Sequence, residues 1–469
     1  MGTMDDVVPA VPVRLVGDGL PVPCVNGEER PYLNLDAAAS ANALPAVARR
    51  VEEFLPWYSS VHRGAGYKSR LATDAYEEAR AAALAFAGRR SGDGTDDVAV
   101  LCRNTTEAIN TLAYRLRLRP EDVVVTTVVE HHANLLPWAR ACRRRFVECG
   151  ADGTFTVDDV VAALDGSPAP KLLAITGASN VTGWLPPVGA ILDAAHQRGI
   201  PVLVDAAQLA PHRPLPAGAD YLAWSGHKMY APFGTGALVG PRRTFAEGDP
   251  FLVGGGAVDL VDLDDVTWTD PPEREEAGSP NVIGAVALHA AIDELDRLGW
   301  GLVAGHDHDL AQRLRSGLRS IPGVRVLGPD LSEPTLPLAA FTVDGVHHAL
   351  VAARLSAEYA IGVRHGCFCA HPYLLRLLGL SPQEVVEYRH AVLRHDRRHI
   401  PGAVRASAGL STTVEDVDRL LRAVADIAGG RPAPVAYLQD RSTGDFWPEG
   451  TVPGWTADDR AVGASCARG

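Results

Sequence analysis

From about residue 97 to 240, short apolar runs alternate with segments that have helical periodicity. The runs are rich in Val, Ile and Leu, which is typical of strands buried on both faces of a sheet. After the first run, apolar residues in 109–116 recur at i, i+3, i+4 and i+7, so they share one face of a helix. This alternation predicts an α/β fold with a mostly parallel sheet that helices cover on both sides. The predicted strands are 98–101, 123–128, 172–176, 202–204, 221–224 and 237–239.

The chain is too long for one hydrophobic core, because its 469 residues exceed the size at which single cores stop growing. We expect an amino-terminal segment (1–34), a large domain (35–300), a smaller α+β domain (301–430) and a tail (431–469). Segment 281–320 is strongly helical, and strand-like runs follow at 324–327 and 339–343. The tail lacks periodicity, and we expect an extended arm that Trp447 and Trp455 hold partly in place.

The charge and the cysteine content exclude several classes of protein. The formal net charge of −13 makes nucleic acid or an anionic membrane surface a poor partner. No run of 18 uncharged apolar residues occurs, and the first residues lack the features of a secretory signal. The seven cysteines are odd in number and scattered, which favours reduced thiols over a disulfide framework. We therefore expect a cytoplasmic protein that binds neither nucleic acid nor membrane.

Two of the predicted strands lead into side chains that can react. Lys228, one of only three lysines, follows strand 221–224, and Asp205 directly follows strand 202–204. Ligands of such sheets bind outside the carboxyl ends of the strands. Pyridoxal phosphate enzymes require this pair, an amine that forms a Schiff base and a carboxylate that keeps the pyridine nitrogen protonated. The alternatives are a helix N-cap for Asp205 and a surface lysine for Lys228.

A third strand end offers a place for a phosphate group. Asn104, Thr105 and Thr106 follow strand 98–101 and open the helix that contains 109–116. Free N–H groups, hydroxyls and the positive end of the helix dipole converge at such a start, which favours an anion. A plain Thr N-cap with an acidic first turn is the alternative.

Several short segments occur together in a characteristic order. They are 35–38 (LDAA), 61–64 (VHRG), 73–77 (TDAYE), 130–134 (EHHAN), 179–183 (SNVTG), 204–208 (VDAAQ), 225–228 (SGHK) and 277–281 (AGSPN). In these segments the chain resembles class V, fold type I pyridoxal phosphate enzymes, most of all Suf-type cysteine desulfurases and selenocysteine lyases. The resemblance runs from about residue 35 to 418. It implies a large domain with a mostly parallel, seven-stranded type of sheet, followed by a smaller α+β domain.

The resemblance implies a role for most residues of a cofactor site. Lys228 would hold pyridoxal phosphate as a Schiff base and shuttle the Cα proton, and Asp205 would pair with the pyridine nitrogen. Gln208 and Asn180 would bind the ring hydroxyl. His131 would stack on the ring, with a polar histidine at a strand end as the alternative. The residues implied to hold the phosphate are Thr105, Thr106, Ser225 and His227, with Ser279 reaching the phosphate of the neighbouring subunit of a homodimer.

Arg405, in segment 404–407 (VRAS), matches the arginine with which the family binds the substrate carboxylate. A guanidinium suits that role because its fork binds a carboxylate bidentately. The match implies a small amino acid as substrate. A surface arginine is the alternative, because the chain is rich in arginine.

Segment 364–372 (RHGCFCAHP) matches the pattern Arg-x-Gly-x-x-Cys-Ala-x-Pro of the desulfurases that the chain resembles. The resemblance implies conversion of L-cysteine to L-alanine, with the sulfur carried as a persulfide on Cys369 and passed to an acceptor protein. Such a cysteine reacts as a thiolate, which Arg364, His365 or His371 would stabilise. The alternative is that Cys369 is a small buried residue without a chemical role.

Three features depart from the Suf-type pattern. Cys367 stands where the family often has His, so the Cys-x-Cys pair would relay a persulfide or, with His365 and His371, bind a metal. We expect no metal, because structural sites usually draw on more separated ligand pairs. The insert 381–399 is helical and basic, and it would cover the site, dock an acidic acceptor or, more simply, be a solvated charged face. Segment 410–413 (LSTT) replaces a Tyr-Asn-Thr of the family.

The departures affect the substrate more than the cofactor. A second hypothesis is a class V lyase, epimerase or aminotransferase of specialised metabolism that acts on another amino acid, with Cys369 incidental or shielding. A third is a degenerate scaffold bound to a sulfur-transfer partner, against which the intact Lys228 and Asp205 argue. Residues 306–309 (HDHD) look like a metal cluster, but adjacent positions on a helix face different ways, so we expect a solvated helix surface.

Overall fold

The computed structural model of the protein describes residues 11–89 and 96–450. Trp455, which we expected to order the tail, lies outside these residues. Three short strands come first, β1 (Pro21–Pro23), β2 (Glu29–Pro31) and β3 (Leu33–Asn34). None of the helices within 11–89 and 96–450 combines the length and the hydropathy that crossing a membrane requires.

Seven strands form the large sheet, and all six predicted strands are among them. These are β4 (Asp97–Cys102), β5 (Val123–Thr127), β6 (Arg143–Val147), β7 (Leu172–Thr176), β8 (Val202–Asp205), β9 (Tyr221–Ser225) and β10 (Gly236–Pro241). The sheet order is β4-β10-β9-β8-β7-β5-β6. Neighbours pair in parallel except at β10, which runs antiparallel to both β4 and β9. The predicted α/β fold with a mostly parallel sheet is confirmed.

The central strands are buried because both faces of the sheet are covered. Every residue of β5 is buried, and the β-branched Val and Thr of this strand fit a pleated, packed surface. On one face, Ile109 and Leu112 pack with Leu172 and Leu203, as the helical periodicity of 109–116 predicts. A larger cluster, with Val204 among its members, fills the other face.

Eight α-helices accompany this sheet in the described part of the chain. They are α1 (Pro45–Phe54), α2 (Tyr67–Phe86), α3 (Thr105–Arg115), α4 (Leu136–Ala141), α5 (Val157–Leu164), α6 (Val188–His196), α7 (Arg242–Ala246) and α8 (Val282–Leu298). Between α7 and α8 lies a hairpin of β11 (Val258–Val261) and β12 (Val266–Trp268). The helical segment predicted over 281–320 is two helices, because Gly299, with φ +85°, ends α8.

A second sheet contains four strands in the order β13-β14-β17-β16. Its strands are β13 (Val324–Leu327), β14 (Leu338–Val343), β16 (Arg364–Gly366) and β17 (Ala403–Ser407). Five further helices belong to this half of the chain: α9 (Trp300–Arg319), α10 (His348–Tyr359), α11 (His371–Leu378), α12 (Pro382–Leu393) and α13 (Val414–Ala428). Leu314, Phe341 and Val424 lie in its core.

The segment before residue 35 is attached to this second unit. β3 pairs in parallel with β15 (Ile361–Gly362), and Leu33 and Leu35 join the core cluster that α9 and α13 build. The division into a large and a smaller domain remains a prediction.

The insert and the tail fold differently from what we expected. A capping box of Ser381 and Glu384 starts α12, but the helix ends at Leu393, so the helical prediction for 381–399 is wrong beyond that point. The chain turns at His395, whose φ is +53°. The tail is not only an extended arm, because β18 (Tyr437–Gln439) and β19 (Phe446–Pro448) form a hairpin.

The prediction of a solvated surface for 306–309 is wrong for Asp307. This residue on α9 is only 1% exposed, and its Oδ2 accepts hydrogen bonds from Arg213 Nη1 at 2.6 Å and His212 Nδ1 at 3.1 Å. Successive side chains on a helix point in different directions, so one of the four faces the interior while His308 and Asp309 stay exposed. The carboxylate anchors α9 to the loop after β8.

Candidate active site

One edge of the large sheet gathers the side chains that the sequence singled out. Because β10 is the one reversed strand, the carboxyl ends of β4, β5, β7, β8 and β9 all lie at this edge. A cavity of about 670 Å³ opens there, and residues between β16 and α11 line its opposite side. Of the residues that we predicted for the cofactor and the substrate, all except Ser279 line this cavity. Ser279 is exposed on the loop before α8.

Lys228 and Asp205 face each other across neighbouring strand ends. Lys228 ends a short 3-10 helix (Gly226–Lys228) that follows β9, and its Nζ lies 3.4 Å from Gln208 Oε1. Burial lowers the pKa of Lys228 to about 8, which the Asp205 carboxylate partly opposes. Asp205 is 4% exposed at the end of β8, and its Oδ1 accepts a hydrogen bond from the Ala207 amide at 2.9 Å. Burial raises the pKa of Asp205, opposed by that amide and by Lys228.

The start of α3 forms a small cradle of hydroxyl and amide groups. Asn104 caps the helix by accepting from the Glu107 amide at 3.0 Å. Thr105 is buried, and its amide and its Oγ1 lie 2.8 and 2.7 Å from Ser225 Oγ. Thr106 and His227 border the same part of the cavity. Amides and hydroxyls at a helix start suit a phosphate group.

His131, Asn180 and Gln208 lie around Lys228 and Asp205. His131 Nδ1 accepts a hydrogen bond from the Ala133 amide at 3.0 Å. Burial and the nearby Lys228 lower the pKa of His131 to about 3, so its imidazole is neutral at physiological pH. Asn180 Nδ2 donates to the Phe368 carbonyl at 2.7 Å, which ties this side chain to the segment that carries Cys369.

Arg405 is held firmly at the wall of the cavity. It is 3% exposed in the centre of β17, and its Nη1 donates to the Asn180 carbonyl at 2.7 Å. Its Nη2 pairs with Asp36 Oδ1 at 3.1 Å, and its guanidinium stacks on the Phe368 ring at 5.2 Å. The surface alternative for Arg405 is therefore wrong. Asp36 was not predicted, and it also pairs with Arg364 at 3.3 Å.

Cys369 lies on a tight turn between β16 and α11. The Ala370 amide donates to the Cys367 carbonyl at 2.9 Å and closes the turn. Phe368 and Cys369 both have left-handed backbone angles, with φ +54° and +53°. The Cys369 carbonyl accepts from the His132 amide at 2.7 Å, and the Cys369 side chain is exposed to the cavity. The buried alternative for Cys369 is therefore wrong.

The groups predicted to stabilise a Cys369 thiolate have other partners. Arg364 pairs with Asp36, His365 Nε2 lies 3.4 Å from Asp445, and His371 Nδ1 lies 3.2 Å from His132 Nε2. Lys228 and Arg405 border the same cavity and interact electrostatically with Cys369, although burial lowers the pKa of both cations. The thiol thus lies in the field of the two cations of the expected cofactor and substrate sites.

The insert (381–399) and the β18–β19 hairpin line part of the cavity, which the sequence did not predict. Tyr388 and Val392 of α12, Arg397 after it, and Thr443 and Gly444 of the β18–β19 turn all border the cavity. Two hydrogen bonds join the hairpin to the insert, from the Arg397 amide to the Arg441 carbonyl at 2.8 Å and from Gln439 Nε2 to the Arg398 carbonyl at 2.9 Å. Of the three roles that we expected for the insert, covering the site is the one that fits these contacts. The Ser381 capping signal marked the helix but not its position over the site.

Within the part of the chain that the structure describes, no three His, Cys, Asp or Glu side chains are placed to hold a metal ion. Cys367 and Cys369, which the sequence offered as ligands, are free thiols in the cavity wall.

The fold and the lysine–aspartate pair define the class of this protein. The chain belongs to the aminotransferase class-V family, whose model matches residues 33–420. This family is pyridoxal phosphate-dependent. The residues fit that cofactor, because a partly buried amine, a buried carboxylate and a helix-start cradle border one cavity.

Within the class, the chain is similar to cysteine desulfurases. It is 35% identical to a probable cysteine desulfurase of Halalkalibacterium halodurans, over 85% of this chain and 93% of that protein. It is 34% identical to a cysteine desulfurase of Klebsiella pneumoniae, with the same coverage of both chains. The solved structure of a cysteine desulfurase from Thermococcus onnurineus superimposes with a TM-score of 0.74 at 32% identity, covering 85% of this chain and 95% of the other. The Escherichia coli cysteine desulfurase CsdA gives 0.71 at 32% identity, covering 85% and 94%.

Proposed function

We propose that this chain is a cysteine desulfurase, which converts L-cysteine to L-alanine and keeps the sulfur as a persulfide on Cys369. This proposal rests mainly on one observation: the exposed Cys369 side chain, the Lys228 amine and the Arg405 guanidinium face the same cavity. The carbon–sulfur bond of the substrate breaks, a sulfur–sulfur bond to Cys369 forms, and alanine leaves. Atoms and electrons balance without another reactant. The similarity to named cysteine desulfurases supports the same reaction.

Lys228 has the properties of the proton carrier. Bound at this site, pyridoxal phosphate supplies an electron sink for charge that develops at the substrate Cα. Of the three lysines, all within the described residues, only Lys228 lines the cavity. With a pKa of about 8, its amine is partly neutral near physiological pH, so it can take up a proton from Cα and return one.

The other residues of the site orient the cofactor and the substrate and hold them in place. Asp205 would pair its carboxylate with the pyridine nitrogen, and the neutral imidazole of His131 would stack on the ring. Gln208 and Asn180 would bind the ring hydroxyl, while Thr105, Thr106, Ser225 and His227 would hold the phosphate at the start of α3. The substrate carboxylate binds Arg405, whose orientation Asp36 and Asn180 fix.

We also propose a cytoplasmic homodimer in which Ser279 completes the phosphate site of the partner subunit, and from which an acceptor protein takes the sulfur. Ser279 is exposed on the loop before α8 and is not among the described residues that line the cavity of its own chain. Sedimentation should show a dimer, and Ser279→Ala should weaken cofactor affinity by about tenfold, the value of one charge-assisted hydrogen bond. A monomeric holoenzyme with unchanged affinity in this variant would contradict the arrangement.

Replacing the sulfur acceptor tests the reaction itself. Cys369→Ser should bind the cofactor normally but lose alanine release from L-cysteine by at least about a thousandfold, since its hydroxyl is a poor sulfur acceptor. Alanine and persulfide are measured after mixing the purified holoenzyme with L-cysteine. Cys149→Ser is the matched control, because Cys149 is also a free thiol and is not among the described residues that line the cavity. Unchanged alanine release in Cys369→Ser would show that the persulfide mechanism is wrong and that Cys369 is incidental to the reaction.

A further inference from the structure

We propose that Cys367 receives the sulfur from Cys369, so that the two cysteines act as a relay within the cavity. This inference rests on the proposed function, because the relay starts from a persulfide on Cys369. Cys367 is the cysteine of segment 364–372 that the proposed reaction leaves without a role. The turn that holds both cysteines carries the inference.

The turn places the two cysteines close enough to interact electrostatically. Consecutive Cα atoms are about 3.8 Å apart, so a turn closed between residues 367 and 370 brings Cys367 and Cys369 into the Cα range that sulfur–sulfur chemistry needs, about 4.4–6.8 Å. The hydrogen bond from the Ala370 amide to the Cys367 carbonyl closes it. Both cysteines line the cavity, while the Phe368 ring between them is buried against Arg405.

The active site imposes this turn. Left-handed backbone angles are unfavourable for residues with a side chain, and both Phe368 and Cys369 have them. Their two carbonyls are held from outside the turn, Phe368 by the Asn180 amide and Cys369 by the His132 backbone. Because Asn180 and His132 hold both carbonyls, the cysteine pair keeps one arrangement through each turnover.

The two thiols occupy different surroundings. Cys369 is exposed in the cavity and interacts with Lys228 and Arg405, whereas Cys367 is half-buried and near Tyr388 of α12. Burial raises the pKa of Cys367, and the amides of Cys369 and Ala370 at the start of α11 oppose that shift. Cys369 is therefore placed to take sulfur from the substrate, and Cys367 to hold it away from the cofactor beside the insert.

The transfer needs no oxidant or reductant. The Cys367 thiolate attacks the outer sulfur of the Cys369 persulfide, a new bond forms between that sulfur and Cys367 Sγ, and the bond to Cys369 Sγ breaks. The electron pair of the broken bond stays on Cys369, which takes up the proton that Cys367 released. The product is a Cys367 persulfide with Cys369 free for the next substrate.

Mapping the sulfur after one turnover tests the relay. The holoenzyme is mixed with one equivalent of L-cysteine, quenched with iodoacetamide at increasing times and digested with trypsin. Cleavage after Arg364 and Arg376 gives one peptide with both cysteines, and tandem mass spectrometry locates the extra sulfur. We expect the sulfur first on Cys369 and then on Cys367. Sulfur that remains on Cys369 at all times would overturn the relay, and so would a Cys367–Cys369 disulfide with one equivalent of free sulfide.

Variants separate this inference from the proposed function. Cys367→Ser should keep all sulfur on Cys369 and slow steady-state alanine formation by about tenfold, because an intramolecular thiol is replaced by one from solution. Cys149→Ser, a half-buried thiol away from the cavity, should match the parent protein in both measurements. An unchanged rate of alanine formation in Cys367→Ser would overturn the relay and leave the proposed function standing. Absence of alanine and of any persulfide in the parent protein would instead overturn the proposed function.

Discussion

Two effects, burial and the Asp205 carboxylate, determine the charge of the Lys228 amine. Burial favours its neutral form, while the Asp205 carboxylate favours the charged form, and burial is the larger effect. The pair could be predicted from the sequence because both residues lie at or just after the carboxyl end of a strand of the same mostly parallel sheet. The role of Asp36, in contrast, could not be predicted. The resemblance included its segment, but nothing in the sequence indicated that its carboxylate would bind Arg405, which lies 369 positions away.

The lowered pKa of Lys228 predicts how the protein takes up its cofactor. Apoprotein mixed with pyridoxal phosphate should form the visible absorbance faster as pH rises, with half of the increase reached near pH 8, because only the neutral amine reacts. An ordinary lysine would reach that point near pH 10.4. Stopped-flow absorbance from pH 6.5 to 9.5 measures it. Asp205→Asn removes the carboxylate that favours the charged amine and should move the midpoint lower; an unmoved midpoint would contradict this account.

At the scale of elements, the apolar runs in the sequence identified the buried strands of the large sheet but missed its edge strand β6. β5 and β7 are buried throughout and were predicted from composition alone. β6 is an edge strand with the sequence RRRFV, and its mostly exposed arginines hide it from a search for apolar runs. The insert was found as a helix, but its place over the cavity depends on contacts with a hairpin more than 40 residues later, which no local pattern encodes.

The hairpin–insert contact predicts the effect of one methyl group. Gly444 has φ +81°, and a Cβ there would lie 2.5 Å from the Arg397 carbonyl oxygen. Gly444→Ala should therefore separate the two segments and speed tryptic cleavage after Arg394, Arg397 or Arg398. Gly450→Ala is a matched control, since Gly450 has φ +84° with no atom within 4 Å of a Cβ. Equal cleavage rates in the two variants would show that the contact does not protect the insert.

At the scale of the whole molecule, buried histidines make stability depend on pH. His348 is 8% exposed, donates to the Ile400 carbonyl at 3.2 Å and packs on the rings of His347 and His365. Burial lowers the pKa of His348 to about 3, and the same effect lowers that of His131. Between about pH 6.5 and 3 the unfolded chain binds protons there that the folded protein does not, so acidification lowers the free energy of unfolding.

Glu130 acts in the opposite direction. It is fully buried, and burial raises its pKa to about 8, so the folded protein holds a proton that the unfolded chain releases above about pH 4.5. Its contribution to stability therefore falls as pH rises from 4.5 to 8. Between about pH 4.5 and 6.5 the two histidines and this carboxyl therefore change the free energy of unfolding in opposite directions.

Replacing His348 isolates its contribution to the pH dependence of the free energy of unfolding. In His348→Gln the side-chain amide can donate to Ile400 as the imidazole does, but it does not titrate. The loss of unfolding free energy between pH 6.5 and 5 should then be smaller than in the parent, by at most about 1.4 kcal/mol per pH unit. Urea unfolding at several pH values measures it, with the exposed His308→Gln as control. Identical slopes for both variants would show that His348 takes up its proton in the folded state.

The position of the β18–β19 hairpin in the chain has a consequence for biosynthesis. Among the described elements these two strands leave the ribosome last, after α13 has emerged. The sheet edge with Lys228 and Asp205 is therefore translated some 200 residues before the segment that finishes the enclosure around it. A nascent polypeptide thus presents an open vitamin B6 pocket first, and the last stretch of translation narrows the entrance.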